Sequence, residues 1–280
     1  MVLHHSVINY TYFGHGDRMR WLGFDLAVLF NDSFFMACMF FISGLFVYDG
    51  LARRGPANFL ANRIWRLGVP FLTSILVGMP IAYYASFLRY HPPGTTDFSF
   101  FHYWWHMVTI GPWPSGSAWF LWVLLALGAV AALLWAAAPH RIEALGRLVD
   151  AERDRPMIAF AAFLIFSVIL YLPLRLIFGD SAWLVPGHYP LPIQTSRILL
   201  YAGYFLAGVA VGAVSLRTGM LAVNGALAKR WTAWLGFAFA CYGQSCFWSI
   251  RTTIGWRISI HRRFGGIPPM VSPSRCSAPR

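Results

Sequence analysis

Apolar runs long enough to cross a membrane constrain this chain more than any other feature of its sequence. A membrane-spanning helix needs about 20 mostly apolar residues, because each residue advances it by only about 1.5 Å. Residues 118–138, for example, contain no charged side chain. Six segments meet the requirement: residues 28–48, 67–87, 118–138, 157–174, 198–216 and 231–250. Residues 1–13 form a further mostly apolar segment, which is too short to cross by itself.

The overall composition agrees with a membrane protein. Hydrophobic residues occupy 58% of the 280 positions and charged residues only 11%, whereas soluble domains carry about 25% charged residues. The 13 tryptophans suit a protein with two membrane–water interfaces, where aromatic side chains gather. We therefore predict an all-α, polytopic integral membrane helical bundle, with six transmembrane helices and a partial first helix.

Basic residues indicate the orientation of these helices. The net charge is +12, and arginine and lysine are concentrated in segments 49–66, 139–156 and 217–230. These alternate along the chain with segments 88–117 and 175–197, which are poorer in charge. Because cytoplasmic loops carry an excess of Lys and Arg, we predict that the first set is cytoplasmic and the second faces outward. Basic residues placed between apolar runs favour contact with lipid, so we predict no nucleic-acid partner.

The two ends of the sequence do not fit this pattern. A helix over residues 1–13 lacks the remainder of a span, and residues 251–280 are basic although they follow a helix predicted to exit outward. We expect residues 1–250 to form one incomplete membrane domain, truncated at both ends. Residues 251–280 are interpreted either as a disordered basic tail or as the product of a frameshift.

Nothing in the sequence makes a convincing metal site. The four cysteines form no zinc-ligand pattern. His102 and His106 lie four residues apart, so they would share a helical face and could bind metal, but no acid or cysteine completes the set. Residues 101–107 are interpreted instead as an outward aromatic segment at the membrane interface, and we predict no metal.

Residues 40–71 are the most informative segment for function. A Ser-Gly pair at 43–44 lies in an apolar helix, which we expect to lead into a basic loop containing the arginine pair at 53–54. Arg63 and Arg66 then precede the next apolar helix. Two arginines three residues apart at a membrane edge can bind an anionic ligand. The alternative is that they only set the topology, as we expect of the pair at 53–54.

The order and spacing of several motifs resemble those of the acyltransferase-3 family, polytopic membrane enzymes that acylate glycans and other acceptors. The resemblance covers roughly residues 2–235. The matching motifs are VLHHSVINY at 2–10, FFISG at 40–44, FLANRIWRLGVPF at 59–71, GSAWFLWVLL at 116–125 and LLYAGYFLAGVAVG at 199–212.

This resemblance implies a mechanism and a set of roles. It assigns His5 as the general base that removes a proton from the acceptor hydroxyl, and His4 as a weaker candidate on another side of the helix. It implies that Arg63 and Arg66 hold the phosphates of an acyl-CoA donor, most simply acetyl-CoA. The basic residue that the family carries upstream of the histidine is absent from this sequence.

Candidates for the acceptor site are weaker. Asp32 could orient the acceptor or pair with His5, or it could simply cap its helix. Trp119 could stack on a sugar ring, or it could belong to an aromatic belt, and Trp113 and Trp122 admit the same two interpretations. Ser43 could be a nucleophile, although a Ser-Gly pair in a helix more often permits close packing. His188 has no evident partner in the sequence.

Three functions are therefore weighed. The first is a membrane O-acyltransferase that delivers an acyl group, expected to be acetyl, to a glycan hydroxyl in a bacterial inner membrane. The second is a multi-pass transporter, which would predict inverted repeats and broken helices in matching halves. The third is an inactive remnant of an acyltransferase.

Overall fold

The computed structural model of the protein describes residues 2–12, 19–90, 99–179 and 182–264. The low-complexity end of the predicted tail, residues 265–280, lies outside these residues, so its predicted disorder or frameshift stays a prediction.

The described part of the chain is mainly helical and has almost no sheet, which confirms the predicted all-α membrane bundle. The helices are α1 (Val2–Val7), α2 (Leu22–Leu45), α3 (Val47–Arg63), α4 (Val69–Thr73), α5 (Met79–Tyr90), α6 (Phe100–Thr109), α7 (Trp119–Ala137), α8 (Pro139–Asp150), α9 (Pro156–Phe178), α10 (Ile198–Gly212), α11 (Ala226–Lys229) and α12 (Trp231–Phe264). Tight 3-10 turns cover Ile8–Tyr10 and Gly116–Ala118, and wide π-helical turns cover Ile64–Gly68 and Ser74–Gly78. Two short antiparallel strands, β1 (Trp183–Leu184) and β2 (Ile193–Gln194), form the sheet of the described residues.

Four stretches of described helix are long and apolar enough to cross a membrane. They are Leu22–Leu45, Val47–Arg89, Gly116–Ala137 and Pro156–Phe178. Each contains most or all of one of the first four predicted spans. The fifth predicted span corresponds to α10, which is apolar but has 15 residues and ends at Gly212. The sixth lies in α12, a helix of 34 residues that continues beyond the predicted end at residue 250.

The prediction of a basic loop between the first two spans is wrong. Residues 47–63 are helical except at Gly55, whose φ of 70° and ψ of 164° divide α3 into a first arm, residues 47–54, and a second arm, residues 56–63. This backbone conformation is essentially restricted to glycine. Pro56 follows it at the start of the second arm, where its fixed φ suits a helix and its missing N–H costs nothing. The arginines of this region therefore lie on helices.

The chain divides into two compact units. One comprises residues 1–34 and 231–280, and the other comprises residues 35–230. In the larger unit, α3, α7, α8 and α10 contribute to the main hydrophobic core together with the end of α2. Phe40 on α2 and Phe205 on α10 are fully buried in it.

In the smaller unit, α12 packs against the start of α2. The Tyr242 hydroxyl donates a hydrogen bond to the Leu26 carbonyl at 2.8 Å, and its ring lies edge-to-face on Phe30 with centroids 5.3 Å apart. Asp25 is 3% exposed and accepts a hydrogen bond from the backbone N–H of Tyr12 at 2.8 Å. These bonds connect both α12 and the chain before α2 to the same helix.

Glycines bring α2 and α10 into backbone contact. Gly208 and Gly212 lie one turn apart on α10 and face α2, which carries Gly44 at the contact. A Cβ atom added to any of the three would collide with a backbone carbonyl of the opposite helix. Membrane helices approach this closely only where small residues leave room. The Ser-Gly pair at 43–44 therefore has a packing role through its glycine.

A proline explains the second π-turn. Pro80 has no N–H, so the Leu76 carbonyl four residues earlier loses its usual helical partner. The N–H of Met79 bonds to the Ser74 carbonyl, five residues earlier, and no longer serves the Ile75 carbonyl. Two consecutive carbonyl groups, those of residues 75 and 76, are thus left without helical partners.

Two tryptophans satisfy these carbonyls. The indole N–H of Trp113 donates to the Ile75 carbonyl at 3.0 Å, and that of Trp104 donates to the Leu76 carbonyl at 2.8 Å. An unpaired backbone group in a membrane-spanning helix costs several kcal/mol. Both tryptophans therefore stabilise the π-turn, a role that the sequence did not predict for Trp113.

Candidate active site

A pocket of about 320 Å³ lies between the two arms of α3 and the end of α2. It is lined by Ser43, Phe46, Gly50, Arg53, Arg54, Phe59, Asn62, Arg63, Arg66 and Leu67. Its volume falls in the range of small-molecule sites, about 300–1,000 Å³. Four of the lining side chains are arginines, which makes the pocket a candidate site for an anion.

The shape of the pocket depends on how closely the two arms pack. A Cβ atom on Gly50 would lie 3.1 Å from the ring of Phe59, so the absence of a side chain at residue 50 lets the first arm pack closely on the second. Phe59 is 4% exposed, and on the first arm Val47 and Leu51 are buried in the same core. The apolar side of each arm therefore faces the core, which leaves the arginine side for the pocket.

Arg63 reaches across the pocket to two other helices. One of its terminal nitrogens donates to the carbonyl oxygen and the hydroxyl of Ser43, at 3.3 and 3.4 Å, and the other donates to the Leu124 carbonyl at 3.3 Å. Its guanidinium also lies over the ring of Phe59, 5.0 Å from the centroid, and 5.8 Å from that of Phe205. Among the described residues, no carboxylate lies within ion-pair distance of Arg63.

The other three arginines are exposed. Arg53 forms an ion pair with Asp49, one turn earlier on the first arm, at 2.5 Å. The side chains of Arg54 and Arg66 make no hydrogen bond or ion pair with another residue of the described part. Because guanidinium groups bind phosphate and carboxylate bidentately, these two are the most available anion ligands of the pocket.

The histidine predicted as the base and its neighbour have different surroundings. His4 is 9% exposed, and its Nε2 lies 3.8 Å from a carboxylate oxygen of Asp32. His5 is exposed, and its ring meets that of His4 edge-to-face with centroids 5.2 Å apart. The Nδ1 atom of His4 is buried and has no hydrogen-bond partner among the described residues. Asp32 thus lies beside His4, whereas the sequence analysis considered it as a partner of His5. The role of His5 as base stays a prediction.

Trp119 lies in an aromatic cluster. It is 9% exposed, and its ring centroid is 6.4 Å from that of Phe40, 5.8 Å from that of Tyr201 and 5.4 Å from that of Trp183. A buried ring has no free face for a sugar in this conformation. Trp183 on β1 is 44% exposed and is the surface-accessible ring of the cluster. The role of Trp119 in acceptor binding stays a prediction.

The remaining candidates are not gathered into a site. His102 and His106 lie on α6, and within the described ranges no group of three or more His, Cys, Asp or Glu side chains could hold a metal ion. His188 stacks on Tyr189, with ring centroids 4.8 Å apart, in the connection between β1 and β2. Trp122 packs against the core.

Arg53 and Arg54 are the pocket residues that the sequence interpretation missed. In the predicted basic loop they have only a role in topology, whereas in the structure they lie on a helix beside the pocket. The Gly-Pro dipeptide at 55–56, which marks a chain reversal, was the available signal. It divides the segment into two short helices, with Arg53 and Arg54 at the end of the first, Arg63 at the end of the second and Arg66 in the π-turn that follows.

A comparison with protein families identifies the family of the chain. The family model described as “Acyltransferase domain”, that of the acyltransferase-3 family, matches residues 1–264 of the 280. No curated protein and no solved structure matches the chain. The family match covers both the histidine pair near the start and the arginine pocket, together with the helices that carry them. The chain therefore belongs to the acyltransferase-3 family and is a multi-pass membrane acyltransferase.

Proposed function

We propose that the enzyme moves an acyl group, acetyl in the simplest case, from cytoplasmic acyl-CoA to a hydroxyl group of a glycan or similar acceptor. We further propose that it does so in a bacterial inner membrane. The observation that carries the donor assignment is the pocket between the arms of α3, with its four arginines.

The chemistry of the donor supports this assignment. Acyl-CoA carries a diphosphate and a further phosphate on its ribose, so it presents several negative charges within a short distance. Arg54 and Arg66 offer guanidinium groups that no described carboxylate neutralises. Arginine stays protonated even beside a membrane and binds phosphate through two parallel N–H···O hydrogen bonds. The predicted cytoplasmic position of segment 49–66 is also the side on which acyl-CoA is available.

The acyl transfer itself requires a base at the acceptor hydroxyl. Imidazole suits this task because its pKa lies near the operating pH. We propose His5 for this role, with the exposed ring that a substrate can reach. The oxygen of the acceptor would then attack the thioester carbonyl carbon, the C–S bond would break, and the CoA thiol would leave with a proton.

The proposal is tested by supplying radiolabelled acetyl-CoA to membranes that contain the protein and following label into acceptor material. We expect His5→Ala to lower transfer by about 10²–10⁴-fold, the usual contribution of a general base. His140→Ala, which changes an exposed histidine on α8, is the matched control and should retain activity. Unchanged transfer in His5→Ala would remove the assignment of the base. Flux of a substrate without any acyl transfer would favour the transporter alternative.

The donor site has its own test in the same membranes. Arg66→Ala should raise the KM for acetyl-CoA by about tenfold or more, since a hydrogen bond to a charged group is worth about 1.5–3 kcal/mol. Arg217→Ala removes an exposed arginine from another basic segment and should leave this KM unchanged. Equal KM values in the two variants would contradict the donor site.

A further inference from the structure

The two arginines of the Arg-x-x-Arg element are not equivalent. Arg63 is partly buried, and its guanidinium donates to groups on α2 and α7. Arg66 is exposed, and its side chain has no hydrogen-bond or ion-pair partner among the described residues. Membership of one Arg-x-x-Arg element therefore does not give them equal access to a ligand.

A glycine on α7 leaves the space that the Arg63 side chain occupies. A Cβ atom added to Gly128 would lie 2.9 Å from Cδ of Arg63 and 3.1 Å from one of its terminal nitrogens. Gly128 follows Leu124 by one helical turn, so its missing side chain exposes the Leu124 carbonyl that accepts the bond from Arg63. An alanine at 128 would therefore require the Arg63 side chain to shift from its present position beside that carbonyl.

The charge of Arg63 is already stabilised without a ligand. Its N–H groups meet two backbone carbonyls and the Ser43 hydroxyl, and its face lies over the ring of Phe59. Carbonyl dipoles and aromatic faces are the groups that stabilise a buried guanidinium where no carboxylate is at hand. A phosphate would have to displace these partners to bind Arg63 through the same N–H groups.

We propose that Arg63 is a positioning residue, whose guanidinium over Gly128 joins the end of α2 to α7 and fixes the wall of the pocket, while Arg66 and Arg54 contact the anion. This proposal rests on the proposed function for the identity of the anion. The link between α2 and α7 is a property of the ligand-free protein and can be measured without it.

The test is a double-mutant cycle on purified protein in detergent, with the thermal midpoint of the ligand-free enzyme as the first measurement. We expect Arg63→Ala and Gly128→Ala each to lower the Tm. In the Arg63→Ala background, Gly128→Ala should cause no further loss, because the added methyl group then meets no arginine. Gly236→Ala, at a helical glycine with no atom within 4 Å of the added Cβ, is the control and should not lower the Tm.

Two results would overturn the proposal. One is an additive cycle, in which Gly128→Ala lowers the Tm equally with and without Arg63. The other is an unchanged Tm in Arg63→Ala together with a KM increase like that of Arg66→Ala, which would make Arg63 an ordinary ligand. Arg63→Lys separates the effect of charge from that of the contacts, since its single ammonium group keeps the charge but cannot reach both α2 and α7. We expect this variant to lose Tm as Arg63→Ala does.

A second measurement, the KM for acetyl-CoA, separates this proposal from the proposed function. Gly128→Ala should raise that KM at least threefold although residue 128 does not line the pocket, because the displaced Arg63 disturbs its wall. An unchanged KM in Gly128→Ala would contradict the positioning role. An unchanged KM in Arg66→Ala would instead contradict the donor assignment, and the Tm cycle would still decide the role of Arg63.

Discussion

The contact between α2 and α10 predicts a large penalty for a single methyl group at Gly208. A Cβ atom there would overlap the carbonyl oxygen of Phe41, and it would lie 3.0 Å from the carbonyl carbon and 3.1 Å from Cα of Gly44. These are backbone atoms of α2, so no side-chain rotation can relieve the overlap. The two helices would have to separate by roughly 1 Å before the Phe41 carbonyl oxygen regained an ordinary contact distance from the added carbon.

The size of the penalty follows from two opposing terms. Overpacking of this kind typically costs about 1–3 kcal/mol, and the rigid surroundings place Gly208→Ala at the upper end. Replacing a helical glycine by alanine returns about 1 kcal/mol of helix propensity. We therefore expect a net loss of about 2 kcal/mol in the free energy of unfolding. Gly243→Ala, whose added Cβ meets nothing within 4 Å on α12, should show only the favourable term.

The assay is unfolding by SDS in mixed micelles, followed by circular dichroism, for both variants and the wild type. The predicted order of stability is Gly243→Ala at or above wild type, and Gly208→Ala below it. If Gly208→Ala were as stable as Gly243→Ala, the backbone contact between α2 and α10 would be refuted, and with it the packing explanation of the Ser-Gly pair.

Three further changes test other parts of the structure. Trp113→Phe removes the indole N–H that serves a carbonyl freed by Pro80, and we expect a loss of about 1–3 kcal/mol in the same SDS assay; an unchanged midpoint would mean that the carbonyl finds another donor. Gly55→Ala places a Cβ on a residue with φ of 70°, a backbone conformation that alanine rarely adopts. Beyond its chain neighbours, no described atom lies within 4 Å of the added Cβ, so the expected loss of about 1–3 kcal/mol in the free energy of unfolding comes from backbone strain alone. Asp32→Asn removes the charge 3.8 Å from His4, and because the carboxylate is half-exposed we expect only a two- to fivefold fall in label transfer, about 0.5–1 kcal/mol. A fall of a hundredfold would instead show that Asp32 acts in the chemistry.

The sequence predicted the apolar helices best. α7 and α9 lie within a few residues of the predicted spans, because an uncharged run bounded by charged or turn residues has few other stable states in a membrane. α3 was missed because arginines, a glycine and a proline in succession are typical of loops. There the buried positions Val47, Leu51 and Phe59 hold short helices in place by tertiary packing, which composition does not reveal.

The candidate site was predicted in part. The spacing of Arg63 and Arg66 predicts an anion site, and both residues line the pocket, while their binding of a ligand stays a prediction. It could not show that Arg53 and Arg54 join them, since that depends on the reversal at Gly55. The difference between an anchored Arg63 and an exposed Arg66 also lay beyond the sequence, because it arises from groups on α2 and α7 that are distant along the chain.

The most direct test of the arginine pocket is equilibrium binding of CoA to the purified protein in detergent. We predict that the wild type binds CoA more tightly than dephospho-CoA, and that Arg66→Ala weakens CoA binding by about tenfold or more while Arg217→Ala does not. Higher salt should weaken binding to the wild type, since the contacts are between charges exposed to solvent. Equal dissociation constants for CoA in the wild type and in Arg66→Ala would contradict the assignment of this pocket as the donor site.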